Sequence, residues 1–217
     1  MSYLSTLTLS HFRSHKVARL SAGKRPVAIY GANGSGKTNI LEAISLFSPG
    51  RGLRRSSAED MMRRPDNLGW KIEGIISAES TKYEVEITST NGASRQVKVD
   101  GKPKAQTALG QLVRVLWLVP AMDRLWIEGA EGRRRFLDRI TLSFSPAHAD
   151  HSLKYEKAMR ERNRLLKDQV TDPHWYAALE GHMAEAGVAI MSARRDALDK
   201  IRAAQIGAKT AFPTADL

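Results

Sequence analysis

The chain has 217 residues, with 34 Lys plus Arg against 23 Asp plus Glu, a formal net charge of +11 and no Cys. That length suffices for one large domain or two small ones without covalent staples, and the missing thiols exclude disulfides, thiolate metal sites and a cysteine nucleophile. No apolar run reaches the roughly 20 residues that cross a bilayer, and "MSYLSTLTLS" lacks the features of a signal peptide, so a cytoplasmic protein without membrane contact is predicted; its charge predicts a polyanionic partner, nucleic acid first.

Leu7 and Leu9 alternate with polar residues before "HFRSHKVARL", and residues 27–30 form a short apolar run directly before a glycine-rich loop. Three strands are predicted here, the third buried. After the loop, Ile40, Leu41, Ile44 and Phe47 share one helical face, and Pro49 and Gly50 end the helix. From Trp70 onward the period changes to two in "KIEGII", "YEVEIT" and "RQVKV", punctuated by Asn91-Gly92 and Asp100-Gly101, which predicts β-hairpins. The apolar "VRVLWLV" predicts one more strand closing at Pro120, after which the pattern is helical. Two lobes follow, residues 1–120 and 121–217. In the second, Ser145-Pro146 and Asp172-Pro173 each read as an N-cap followed by proline at the first helical position. Tyr155, Met159 and Leu166 give the first long helix its apolar stripe; Tyr176, Leu179, Met183, Ile190 and Ala197 give the second a longer one, and the short "VTD" connection makes them an antiparallel hairpin.

The loop "GANGSGKT" meets the pattern G-x-x-x-x-G-K-[ST], between a strand and an amphipathic helix. Gly31, Ala32, Asn33, Gly34, Ser35, Gly36, Lys37 and Thr38 form the candidate phosphate cradle. The glycines let the backbone approach phosphate oxygens, Lys37 reaches for the β and γ phosphates, and the Thr38 hydroxyl is the candidate Mg²⁺ ligand. Hydrolysis also needs a carboxylate closing an apolar strand. Asp123, the nearest, is separated from its strand by Pro120 and two further residues, so the loop predicts binding more strongly than catalysis.

Three stretches, "LSHFRSHKVARL", "GANGSGKTNILEAISLFSPGRGLR" and "EGRRRFLDR", resemble, in content and order, the RecF family of bacterial recombination mediators, relatives of the SMC-type ATPases. "MSARRDALDKI" and "FPTADL" carry a weaker likeness. The resemblance implies an α/β P-loop NTPase lobe of the ABC/SMC head type with antiparallel β-hairpins, residues 1–120, and an α-helical second lobe, residues 121–217. It implies ATP and Mg²⁺ as cofactors, an ATP-dependent homodimer, and weak ATPase activity. Partners would be DNA at single-strand/double-strand junctions, in gap repair and replication restart, and other recombination mediator proteins. Gly31 to Thr38 match the family's phosphate loop, and Arg13 matches the Arg of its "FR" element near the nucleotide. The family's signature sequence and its strand ending in Asp-Asp are not found, which implies an N-terminal fragment that does not hydrolyse ATP by itself.

Among the arginine clusters, Arg51, Arg54 and Arg55 follow the loop's helix and are candidates for DNA contact, with a solvated loop as the equal alternative. Arg133, Arg134 and Arg135 share a helix with Phe136, Leu137 and Ile140, which favours pairing with Glu131 or Asp138 over DNA. His148 and His151 stand one turn apart without further ligands, so a solvated face is predicted rather than a metal site. Two other readings remain open: a complete small P-loop phosphotransferase, whose arginines clamp a phosphoryl acceptor, and a transporter's nucleotide-binding subunit, disfavoured by the missing glutamine loop and signature.

Overall fold

Period-two alternation folds the N-terminal part into one antiparallel sheet of β1 (Ser2–Phe12), β2 (His15–Ser21), β3 (Trp70–Ala78), β4 (Thr81–Ser89), β5 (Gln96–Val99) and β6 (Lys102–Lys104), in the order β2-β1-β3-β4-β5-β6. The computed structural model describes residues 2–208 except 65, 67, 79 and 128, and only the backbone of residues 121, 123 and 126. The "FPTADL" likeness and the Asp123 side chain therefore lie outside the described residues. The chain divides into two compact units, Met1–Leu118 and Val119–Leu217.

In the first unit the predicted hairpins form. Asp100 and Gly101 take φ values of 50° and 73°, the paired left-handed conformation of a two-residue turn matched to strand twist, and Asn91 and Gly92 take 50° and 74° in the longer β4–β5 loop. One face of the sheet carries Leu7, Leu9, Ile72, Ile76, Val85, Ile87, Val97 and Val99 into the core, where Ala43, Leu46 and Phe47 from helix α1 (Lys37–Ser45) and its following turn meet them. Gly74 in β3 makes this possible, since a Cβ there would lie 2.5 Å from the Phe47 ring. The opposite face is polar and ion-paired: Lys71 reaches Glu73 (2.7 Å) and Glu86 (3.1 Å), and Lys98 reaches Glu86 (3.2 Å).

Three expectations are corrected here. Residues 27–30 form no strand, and Tyr30 is 93% exposed. Residues 113–119 form none either; Val113 is buried at the end of the short helix α2 (Leu109–Leu112), but Leu118 is 84% exposed. An apolar run becomes a buried strand only where a neighbour accepts its hydrogen-bond ladder, and no described residue pairs with either segment. On α1, Leu41 points outward while Glu42 is fully buried, for an electrostatic reason given below.

The second unit is helical: a 3-10 stretch at Pro120–Trp126, then α3 (Ala130–Phe144), α4 (His148–Lys167) and α5 (Pro173–Gln205). Asp172 caps α5, its carboxylate accepting from the His174 N–H at 2.9 Å. Ser145-Pro146 marks the start of the first long helix, α4, two residues early. Ser145 ends α3, and its carbonyl accepts from the His148 N–H across a turn. The α4–α5 hairpin buries Ala158, Ala186, Ile190 and Ala197, with Lys154–Glu185 (2.6 Å) and Arg162–Glu180 (2.9 Å) across its flanks. Leu166 faces solvent, because the inward position falls to Leu165.

His148 is not on a solvated face: it is 1% exposed, and its Nε2–H donates to Asp138 Oδ1 at 2.9 Å. Arg194 of α5 donates to both Asp138 oxygens, from Nε at 2.7 Å and Nη2 at 2.9 Å, so one carboxylate ties α3, α4 and α5 together. Asp138 is thereby unavailable to the 133–135 cluster, in which Arg135 pairs with Glu131. Among the described residues no group of three or more metal-ligating side chains occurs.

Burial pushes the Asp138 carboxyl up, but the hydrogen bonds from His148 and Arg194 outweigh it and hold the group below its ordinary value of 3.8. A depressed folded pKa stabilises above the unfolded value, and the contribution is lost as pH falls through the folded pKa. Asp138→Asn is therefore expected to destabilise the helical unit by about 2 kcal/mol near pH 7 and to flatten part of its acid unfolding below about pH 4. Helix content followed against urea at both pH values checks this; coincident curves for variant and wild type would show that the carboxylate ties nothing.

Candidate nucleotide site

The loop between residues 31 and 38 leaves several backbone donors unclaimed. Gly31, Gly34 and Gly36 take φ values of 148°, 82° and 91°, and Gly36 forms the left-handed N-cap of α1. The N–H groups of Gly34, Gly36, Lys37 and Thr38 find no acceptor among the described residues. Together with the N-terminus of α1 they make a concave set of donors suited to an anion. Lys37 folds back over this loop, its Nζ donating to the carbonyls of Gly31 (2.8 Å) and Ala32 (2.7 Å). Its charge already sits at the cradle.

The β1–β2 turn fixes where that cradle sits. Phe12 pairs with His15 across the turn, and Arg13 takes a φ of 55°. His15 Nε2 lies 3.2 Å from the Gly36 carbonyl, and Asn39 Nδ2 donates to Ser14 Oγ at 2.8 Å. Gly36 cannot carry a side chain here, because a Cβ would lie 2.5 Å from His15 Nε2.

Arg13 reaches the helix from the same turn. Its Nε and Nη2 donate to the two Glu42 oxygens at 2.9 and 2.7 Å, and its Nη1 donates to the Asp60 carbonyl at 2.6 Å. Arg54 Nη1 joins the same carboxylate at 3.0 Å and Asn39 Oδ1 at 2.8 Å. Two of the predicted site arginines are thus held by one fully buried acid. Beside them a cleft of about 350 Å³ is lined by Arg13, Ser14, Asn39, Asp60, Met62 and Arg64. Hydrogen bonds from the Ser57 hydroxyl and N–H hold the Asp60 carboxyl below its usual range.

Of the candidate DNA contacts, Arg51 and Arg55 are exposed, Arg55 with a φ of 58°, whereas Arg54 turns toward Glu42. Sequence reasoning missed Glu42, His15 and Asn39. A signal existed for the first: Glu42 is the single acid inside the apolar "NILEAISLF".

Residues 3–120 match the family model described as the RecF/RecN/SMC N terminal domain. The chain is 42% identical over 223 residues to the DNA replication and repair protein RecF of Rhizobium rhizogenes, covering 99% of this chain and 59% of that protein. It is 43% identical over 216 residues to the DNA replication and repair protein RecF of Brucella suis, covering 97% and 56%. A solved structure of the recombination mediator protein RecF-ATPrS in the RecFOR pathway superposes with a TM-score of 0.83 at 25% identity, over 94% of this chain and 56% of that one. The chain thus spans a little over half the length of these relatives.

Proposed function

The chain belongs to the RecF/RecN/SMC N-terminal domain family, and from that premise we propose that it is the ATP- and DNA-binding N-terminal part of a RecF-type recombination mediator. The observation that carries the reading is the loop of unclaimed N–H groups with the Lys37 ammonium folded over it. Gly31, Ala32, Asn33, Gly34, Ser35, Gly36 and Lys37 would hold the phosphates of ATP, and Thr38 would supply a hydroxyl to Mg²⁺, which neutralises phosphate charge when bound. These donors fit an anionic triphosphate in number and sign. Arg13 would stand near the bound nucleotide, and its pair with Glu42 holds the β1–β2 turn to α1. Residues 1–120 serve as the ATP-binding lobe and residues 121–217 as the helical lobe.

DNA is the second ligand, met through Arg51, Arg55 and, where it leaves Glu42, Arg54. Single-strand/double-strand junctions are the preferred form, in gap repair and replication restart with other recombination mediators, and the whole protein dimerises around ATP. The exposed apolar residues at 27–30 and 113–119 support a lobe that shares its sheet with strands from the part of the relatives' length not spanned here.

Two outcomes are expected of this chain: weak, strongly salt-dependent DNA binding and essentially no ATP turnover. Neutralising several phosphates releases counterions, so affinity falls steeply as salt rises. Turnover needs a carboxylate that positions Mg²⁺ and water, and the buried acid on the loop's own helix, Glu42, is already committed to two arginines. Single-turnover hydrolysis at saturating ATP, beside DNA binding at two salt concentrations, tests both. Turnover at the level of an intact ATPase, abolished by Asp123→Asn, would mean that a complete enzyme stands here.

A further inference from the structure

Cations on the two faces of the sheet have different surroundings. On the outer face Lys71 and Lys98 each meet a carboxylate. At the β6 edge the other face differs. Lys104 pairs with Val97 and Lys102 with Val99, so both exposed lysines stand on the side of the sheet that carries those valines. Arg95 immediately precedes β5, two residues before Val97. Its guanidinium is tied down: Nη2 donates to the Gly50 carbonyl and, at 2.8 Å, to Gln106 Oε1. The next residue after Gly50 is the exposed Arg51. Among the described residues, none of Arg51, Arg95, Lys102 and Lys104 makes an ion pair. Burial and the neighbouring Arg51 charge both push the Arg95 pKa down, the mark of a guanidinium that lacks a counter-ion.

We propose that Arg51, Lys102 and Lys104, with Arg95 holding Arg51 in position, form a basic ridge that lies along the phosphate backbone of DNA. The inference rests on the DNA-binding reading above and deepens it by moving the contact away from Arg54, whose guanidinium Glu42 already engages. Alternate residues of a strand are about 6.8 Å apart, so Lys102 and Lys104 offer two neighbouring charges on one side of the edge strand, suited to backbone phosphates. Arg95, half-buried beside the Arg51 charge and without a carboxylate, is unfavourable alone, and a polyanion offsets that cost. Among the described residues, no exposed large hydrophobic side chain adjoins Arg51, Lys102 or Lys104 in the chain, whereas the centre of a protein interface is built on such anchors. Nucleic acid is therefore favoured over an acidic protein.

The test replaces Arg51, Lys102 and Lys104 together by Ala and leaves Arg95, which holds the turn. Binding of the whole chain to a fluorescent duplex with a single-stranded tail is followed over a series of salt concentrations. Three lost phosphate contacts should lower the slope of log K against log salt by about 2–3 and weaken low-salt binding at least about tenfold. Lys71→Ala with Lys98→Ala, on the ion-paired face, should leave the slope unchanged, and thermal melts of both variants should match wild type. If the wild-type chain binds no DNA, the DNA-binding reading and the ridge fail together. If it binds but the triple variant keeps its slope, or the outer-face pair lowers it equally, the ridge alone is wrong. An unchanged slope combined with loss of poly-glutamate binding would reassign the ridge to an acidic protein partner and overturn the proposal.

Discussion

Lys37→Ala is expected to weaken ATP binding by at least about a hundredfold while leaving the fold intact. In the structure the ammonium makes two hydrogen bonds, both to carbonyls of its own loop, at 2.8 and 2.7 Å. A triphosphate presents anionic oxygens in place of those neutral acceptors, and charge-assisted bonds contribute about 1.5–3 kcal/mol each. Losing two of them corresponds to at least about 3 kcal/mol, or more than a hundredfold in affinity. Stability should change little, because the lost contacts are exposed and local. Calorimetric titration with ATP, on wild type and variant with matching melting temperatures, separates the two effects. Lys37→Arg sharpens the test, since a planar fork cannot reproduce the compact charge inside the loop. Equal affinities for wild type and Lys37→Ala would make the glycine loop a structural turn.

The features legible in the sequence are those written in backbone chemistry. Asp100-Gly101 and Asn91-Gly92 demand positive φ and obtain it, Asp172 caps the helix it precedes, and the glycines of residues 31–38 adopt the left-handed and extended conformations that the loop pattern requires. What was not legible depends on partners distant in the chain. The apolar character of residues 27–30 and 113–119 predicts strands, yet no local property says whether a neighbouring strand is present to pair with them. His148 looks like a surface residue at helical spacing from His151, but it is buried against Asp138 of the preceding helix, a carboxylate also held by Arg194, distant in sequence. The motif places Arg13 near the nucleotide but does not show the acid it pairs with, Glu42, which stands where the helical pattern calls for an apolar side chain.

Glu42→Gln should have the largest effect on stability of any substitution at the site. The carboxylate is fully buried, accepts from Arg13 at 2.9 and 2.7 Å and from Arg54 at 3.0 Å, and has the Ser56 hydroxyl at 3.4 Å. An amide of the same shape turns an NH₂ group toward guanidinium donors, so at least one of these bonds becomes a donor–donor contact, and two arginines lose their counter-charge. Removing one partner of a buried ion pair costs about 3–5 kcal/mol, which approaches the whole stability of a marginal domain. The melting temperature is expected to fall by about 10 °C or more. Because Arg13 and Arg54 are partly solvated while Glu42 is not, the damage should be partly reversed when the charges are removed together, as in Arg13→Met with Glu42→Leu and Arg54→Met. A melting temperature for Glu42→Gln within about 2 °C of wild type would mean that the network contributes no net stability. The same variant carries a consequence for the nucleotide. Glu42 lies on α1, whose N-terminus bears the phosphate donors, and among the described residues the Arg13 pair is one of three polar links between the β1–β2 turn and the helix with its N-cap, beside His15–Gly36 and Asn39–Ser14. Loosening one link lets the donors drift from the geometry that receives phosphate, so ATP affinity should fall even though no atom of Glu42 reaches the loop. Unchanged affinity in a destabilised Glu42→Gln chain would show that the two remaining links suffice to aim the loop.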